Sequence, residues 1–235
     1  MNQTISKILK FISRNIGFLL INLAVLLILL SFFINSSVNN IGSLKTDLQN
    51  TVKEQILTQS GIQKTDLEQA NDYCKNNPQD ERCKQLSNIS SNPEFDKLFE
   101  NIISAKNYIN ILIYIAIGSF LIGFLFVYLA IFNLLNTLYK VSVHLTIHNI
   151  LAAIYFNFIP FIINQIPLTQ KFQELTKDVP QEFVQSLIRI ISDWIKTPLN
   201  KTIRLTIILA IVFFIISIIL YFIKKKGLKD KNRAK

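Results

Sequence analysis

The chain has 235 residues, half of them hydrophobic, and a formal net charge of +10. Its apolar residues are gathered into long uncharged runs and do not alternate with polar ones, which excludes an ordinary soluble core. With two cysteines, two histidines and no phosphate-binding glycine motif, the composition gives no basis for an enzyme or a cofactor site.

The first uncharged run covers residues 17–34, behind a segment, 1–16, that carries three Lys or Arg and no acid. About 20 apolar residues cross a hydrocarbon layer of about 30 Å, so this run predicts a transmembrane helix. A cleaved signal peptide is the alternative. However, the run exceeds the ~7–15 residues of a signal core, and no small-residue cleavage site follows it. We favour an uncleaved anchor with a cytoplasmic N-terminus.

The segment 35–107, between the first and second runs, contains helical signals and both cysteines. Apolar residues at spacings of three and four mark one helix. Pro93 opens another, which continues without a breaker to about position 138. Cys74 and Cys83 flank an Asn-Asn-Pro turn, and no third ligand lies nearby. Outside the cytoplasm such a pair favours a disulfide over a metal site.

The second uncharged run, 108–139, predicts another span, whereas residues 141–166 are ambiguous because Asn149, Asn157 and Asn164 interrupt them. The three asparagines are separated by eight and seven positions, which places them on roughly one helical face. Such a segment either crosses the membrane packed against other helices or forms a re-entrant or interfacial helix.

Residues 167–204 contain an amphipathic helix at 180–197, which Pro180 opens and Pro198 closes. Trp194 is the only tryptophan of the chain, and we expect it to anchor this helix at the level of the lipid headgroups. The alternative is that the apolar face of the helix packs on the preceding extracytoplasmic segment.

The last uncharged run, 205–223, precedes a tail, 224–235, with seven Lys or Arg and one acid, which predicts a cytoplasmic C-terminus. Two cytoplasmic ends require an even number of spans, so residues 141–166 are expected to cross. The cytoplasmic pieces then hold 11 basic residues and one acidic residue, and the outside segments hold 14 of each. The positive charge is thus explained without a nucleic-acid partner.

His144 and His148 are four residues apart and share one helical face. We place them near the cytoplasmic end of the third span, at headgroup level. A metal pair or proton relay is less favoured, because no Asp, Glu or Cys lies within the predicted spans. Ser119 and Gly123 in the second span form a small-residue pair suited to close helix packing.

These patterns predict an all-α integral protein of the cell membrane with four transmembrane helices. A disulfide-stapled helical segment lies outside between helices 1 and 2, and the amphipathic helix lies between helices 3 and 4. We expect a non-enzymatic accessory or scaffold subunit that acts through the extracytoplasmic segment. Its expected partners are the lipid bilayer and other membrane proteins or copies of itself, without cofactor or metal.

Two other functions stay open at this point. One is a small oligomeric channel, which the polar but uncharged third helix would suit. The other is a lipid-handling or membrane-remodelling protein, which the amphipathic helix would suit.

Overall fold

The chain is almost entirely helical in the computed structural model, and the part of the chain that it describes contains no strand. The described residues are 3–59, 74, 76–77, 79–81, 83–84, 93–165, 177 and 179–233. The helices are α1 (Gln3–Asn39), α2 (Ile41–Gln59), α3 (Pro93–Ser104), α4 (Ile109–Ile131), α5 (Leu134–Gln165) and α6 (Gln181–Arg233), with a 3₁₀ turn at Ala105–Tyr108.

Four of the described helical segments are long and apolar enough to cross a membrane, as the hydrophobic runs predict. These segments are Thr4–Asn39, Phe99–Ile131, Leu134–Ile162 and Gln181–Lys226. The third includes residues 141–162 of the ambiguous region 141–166, and these residues belong to one continuous helix of sufficient length. The prediction of an all-helical chain with four long apolar helices is confirmed, and it indicates a multi-pass membrane protein.

The boundary between the second and third of these helices differs from the prediction. The sequence indicates a break near residue 140, but α4 ends at Ile131 and α5 begins at Leu134. Phe132 adopts a left-handed conformation (φ 51°) and its N–H donates to the carbonyl of Tyr128. Asn133 then caps α5, because its Oδ1 accepts from the backbone N–H of residue 136 at 2.9 Å. This turn lies within the uncharged run 108–139, so the hydropathy of the sequence does not reveal it.

The expected single helix from Pro93 to about position 138 is likewise wrong, since the 3₁₀ turn at Ala105–Tyr108 interrupts it and Ile131 ends it. Pro198 does not close the amphipathic helix either: α6 runs through it from Gln181 to Arg233. A proline removes one backbone donor, yet the helix continues where Pro198 and Leu199 are buried by packing.

The chain divides into two compact units. The bundle unit comprises residues 1–34, 107–159 and 199–235, and the flanking unit comprises residues 35–106 and 160–198. The bundle unit contains parts of α1, α4, α5 and α6 around an apolar core formed by Ile21, Val25, Leu29, Val127, Val141 and Leu145.

The flanking unit contains α2, α3 and the beginning of α6. Within it Leu44 of α2 and Phe99 of α3 are buried, and Lys45 forms an ion pair of 2.6 Å with Asp96. Because this pair is partly exposed, it contributes little stability. Cys74 and Cys83 form a disulfide with a Cα–Cα distance of 5.1 Å, which confirms the predicted bond.

Candidate functional site

Helices α1 and α4 touch backbone to backbone at a pair of glycines. A Cβ on Gly17 would lie 2.6 Å from the carbonyl oxygen of Gly123, and a Cβ on Gly123 would lie 2.7 Å from that of Gly17. One turn away, Ser13 Oγ donates to the carbonyl of Phe126 at 2.9 Å. The close-packing role expected for Gly123 is thus filled inside the chain by Gly17, which the sequence reading did not single out.

A polar pair joins α1 and α5 next to this crossing. His144 Nε2 lies 2.7 Å from Asn22 Oδ1, and the imidazole ring packs on Phe18 with a centroid distance of 4.3 Å. With the amide oxygen facing the ring, Nε2 donates the hydrogen bond. Asn22 is the only amide residue in the first apolar run, 17–34. A single amide in such a run could have indicated a polar partner on another helix.

The two histidines lie deeper in the helix than the sequence indicates. Because α5 begins at Leu134, His144 lies about 15 Å along the helix axis from its first residue. The expected headgroup-level position of the two histidines stays a prediction. The ring of His148 stacks beside His144, with centroids 6.5 Å apart. Among the described residues, no group of three or more His, Cys, Asp or Glu side chains could hold a metal ion.

The asparagines of α5 occupy different environments. Asn149 is fully buried, its Nδ2 donates to the carbonyl of Leu145, and its Oδ1 has no hydrogen-bond partner among the described residues. Asn157 bonds in the same way to Ala153 but lines an open groove that Asn149 does not line. The side chain of Asn164 lies outside the described residues.

Apart from Ser13, several described hydroxyl groups in the bundle unit bond within their own helices. Several Ser and Thr side chains donate to a carbonyl three or four positions earlier in their own helix: Ser31, Thr137, Thr146, Thr206 and Ser217. Such bonds satisfy a hydroxyl without help from a neighbouring helix or from water. Between these helices the buried side chains of Ile21, Val127 and Leu145 fill the centre with hydrocarbon.

An apolar groove, here called the α5–α6 groove, runs between the last two long helices within the bundle unit. It consists of two adjoining cavities of about 560 and 460 Å³ that share Thr146 and Phe214. The first is also lined by Tyr139, Val143, Ile147, Ser217, Ile218, Tyr221 and Phe222. The second is also lined by Ile150, Ala153, Ile154, Asn157, Ile207, Ala210 and Ile211.

Basic side chains meet aromatic rings at one end of the bundle unit. Lys10 of α1 lies over Phe132 in the α4–α5 turn at 5.7 Å, and Lys224 of α6 lies over Tyr139 of α5 at the same distance. These contacts bring the beginning of α1, the α4–α5 turn and the basic part of α6 to a common end. We call this the basic end of the bundle unit.

Trp194, the predicted interfacial anchor, lies in the flanking unit. Its Nε1 is buried and has no hydrogen-bond partner among the described residues. The residue itself is half-buried, with Val184 of the same helix fully covered. The anchoring of Trp194 at the level of the lipid headgroups stays a prediction.

Comparison with protein-family models, curated proteins and solved structures found no match for this chain.

Proposed function

We propose that this protein is a four-span protein of the cell membrane with both ends in the cytoplasm. In this proposal it serves as a non-enzymatic accessory or scaffold subunit. The flanking unit, which contains the disulfide, lies on the extracytoplasmic side and engages other membrane proteins. The bundle unit holds the protein in the lipid bilayer.

The observation that carries this proposal is the close packing of α1, α4 and α5 in the bundle unit. Gly17 and Gly123 bring two backbones into contact, and Ile21, Val127 and Leu145 fill the space beside them. This close packing of the described helices supports a structural role for the bundle unit rather than a pore within a single chain. The described hydroxyls that bond to their own helices support the same role.

The proposed orientation is supported by the basic end. Lys10 and Lys224 mark the same end of the bundle unit through their contacts with Phe132 and Tyr139. Positive residues next to short loops are retained on the cytoplasmic side. The disulfide between Cys74 and Cys83 requires an oxidising compartment, which supports an extracytoplasmic location for it.

The experiment is to solubilise the full chain gently from its own membrane, measure the native mass and identify what co-purifies. Other polypeptides at fixed stoichiometry support the accessory role. They should dissociate in a Cys74→Ser/Cys83→Ser variant and remain with a Lys7→Gln variant, whose change lies in the bundle unit. A closed homo-oligomer without other polypeptides would contradict this role and favour a channel.

A further inference from the structure

One end of the α5–α6 groove lies next to lysine side chains. Tyr139 and Tyr221 face each other across that end with ring centroids 6.4 Å apart, and Lys224 extends over the Tyr139 ring. Lys225 follows Tyr221 by four positions and therefore continues the same helical stripe, and it is exposed. These four residues are called the groove mouth.

The lining of the groove is suited to hydrocarbon. The hydroxyls of Thr146 and Ser217 donate to Ser142 and Phe213 within their own helices, so the cavity next to the mouth presents mainly aliphatic and aromatic surface. Its volume of about 560 Å³ lies within the range of about 300–1,000 Å³ that is usual for ligand sites. The apolar lining suits a hydrocarbon chain, and the two lysines of the groove mouth suit a negative group.

The length of this cavity fits within one leaflet. From Tyr139 to Thr146 the helix rises about 10 Å, while half of a hydrocarbon core is about 15 Å thick. A packed helix from another chain is less suitable, because helices in membranes associate through small residues. The groove instead presents bulky side chains such as Phe214 and Phe222.

We propose that the cavity next to the groove mouth binds one acyl chain of an anionic phospholipid. The phosphate of this lipid lies at Lys224 and Lys225, and the chain extends between Val143 and Ile218 toward Phe214. This lipid site is independent of the accessory role proposed above, because it needs only the α5–α6 groove and the groove mouth.

The test is lipid selectivity of the full chain reconstituted in phosphatidylcholine bilayers that contain spin-labelled phosphatidylglycerol or spin-labelled phosphatidylcholine. Electron paramagnetic resonance measures the fraction of each label that the protein immobilises. The unmodified protein should prefer phosphatidylglycerol. A Lys224→Gln/Lys225→Gln variant should lower this preference roughly fivefold or more, because each lysine near a surface attracts anionic lipid.

The matched control is Lys7→Gln/Lys10→Gln, which removes the same charge from the basic end but not from the groove mouth. It should leave most of the preference intact. Equal losses in the two variants would overturn the proposal, because they would show a general attraction of the basic end.

A second pair of variants tests the cavity itself. Val143→Phe fills the groove and should release about one immobilised lipid per chain, whereas Ile115→Phe, on the exposed surface of α4, should not. An unchanged lipid count in Val143→Phe would overturn the proposal. It would also fall if an Ile147→Cys variant cross-linked two chains through the groove and excluded the labelled lipid, since a second copy would then be the occupant.

Discussion

Gly17 and Gly123 place the backbones of α1 and α4 in direct contact. A Cβ added to either glycine would collide with the carbonyl oxygen of the other. This contact sets the distance between the first two long helices. Because lipid offers helices no hydrophobic reason to associate, close packing of small residues is a principal source of their affinity.

Gly123→Ala should destabilise the protein by about 1–3 kcal/mol, because the added methyl group must displace the backbone of α1 or the side chain of Ile21. Gly118→Ala is the matched control in the same helix, since nothing lies within 4 Å of its Cβ position. Thermal unfolding in detergent should separate the two variants. Equal melting temperatures would show that α1 and α4 are not in contact at these glycines.

The pair Asn22 and His144 should be energetically coupled. In a double-mutant cycle with Asn22→Leu and His144→Leu, we expect a coupling free energy of about 0.6 kcal/mol, and no more than about 1.7 kcal/mol. Combining Asn22→Leu with Asn157→Leu should give additive losses, because Asn157 bonds to Ala153 of its own helix. Additivity for the first pair would argue against the observed hydrogen bond.

For Asn149 we expect little or no loss of stability on substitution, because its buried Oδ1 lacks a hydrogen-bond partner among the described residues. Replacing it with leucine, which has a similar size, removes an unsatisfied acceptor and should leave the free energy of unfolding within about 1 kcal/mol of the parent or raise it. Chemical denaturation in mixed micelles measures this change. A strong destabilisation would mean that Oδ1 is bonded in the protein, either to water or to a ligand.

Asn133 should act as the N-cap of α5. Asn133→Ala should cost about 0.5–2 kcal/mol, because it removes the side-chain oxygen that accepts from the first turn. Asn136→Ala is the control, since only the backbone N–H of Asn136 takes part in the cap. If both variants lost the same stability, the turn between α4 and α5 would not lie at Asn133.

The number and kind of the long helices could be predicted from the sequence because lipid and backbone hydrogen bonding allow few solutions for runs of about 20 apolar residues. The disulfide could be predicted because Cys74 and Cys83 are the only cysteines and lie close together in the chain. Both features depend on local composition and on solvent.

The helix ends and the contacts between helices were less predictable from the sequence. The turn at Phe132 and Asn133 lies inside a continuous apolar stretch, so only the capping geometry marks it. The proline at position 198 predicts a helix end, but α6 continues through it, and Pro198 is buried there. The hydrogen bond between Asn22 and His144 joins positions 122 residues apart, and local sequence patterns do not predict contacts at such a separation.

The most direct test of the four-span topology is the location of three reporters, one at each end of the chain and one in place of Thr169, between α5 and α6. Accessibility to an impermeant reagent in intact cells measures the side on which each lies. The proposed topology predicts that both ends react only after permeabilisation and that the position-169 reporter reacts in intact cells. A reporter at 169 that is protected until permeabilisation would contradict the crossing of α5 and with it the four-span protein.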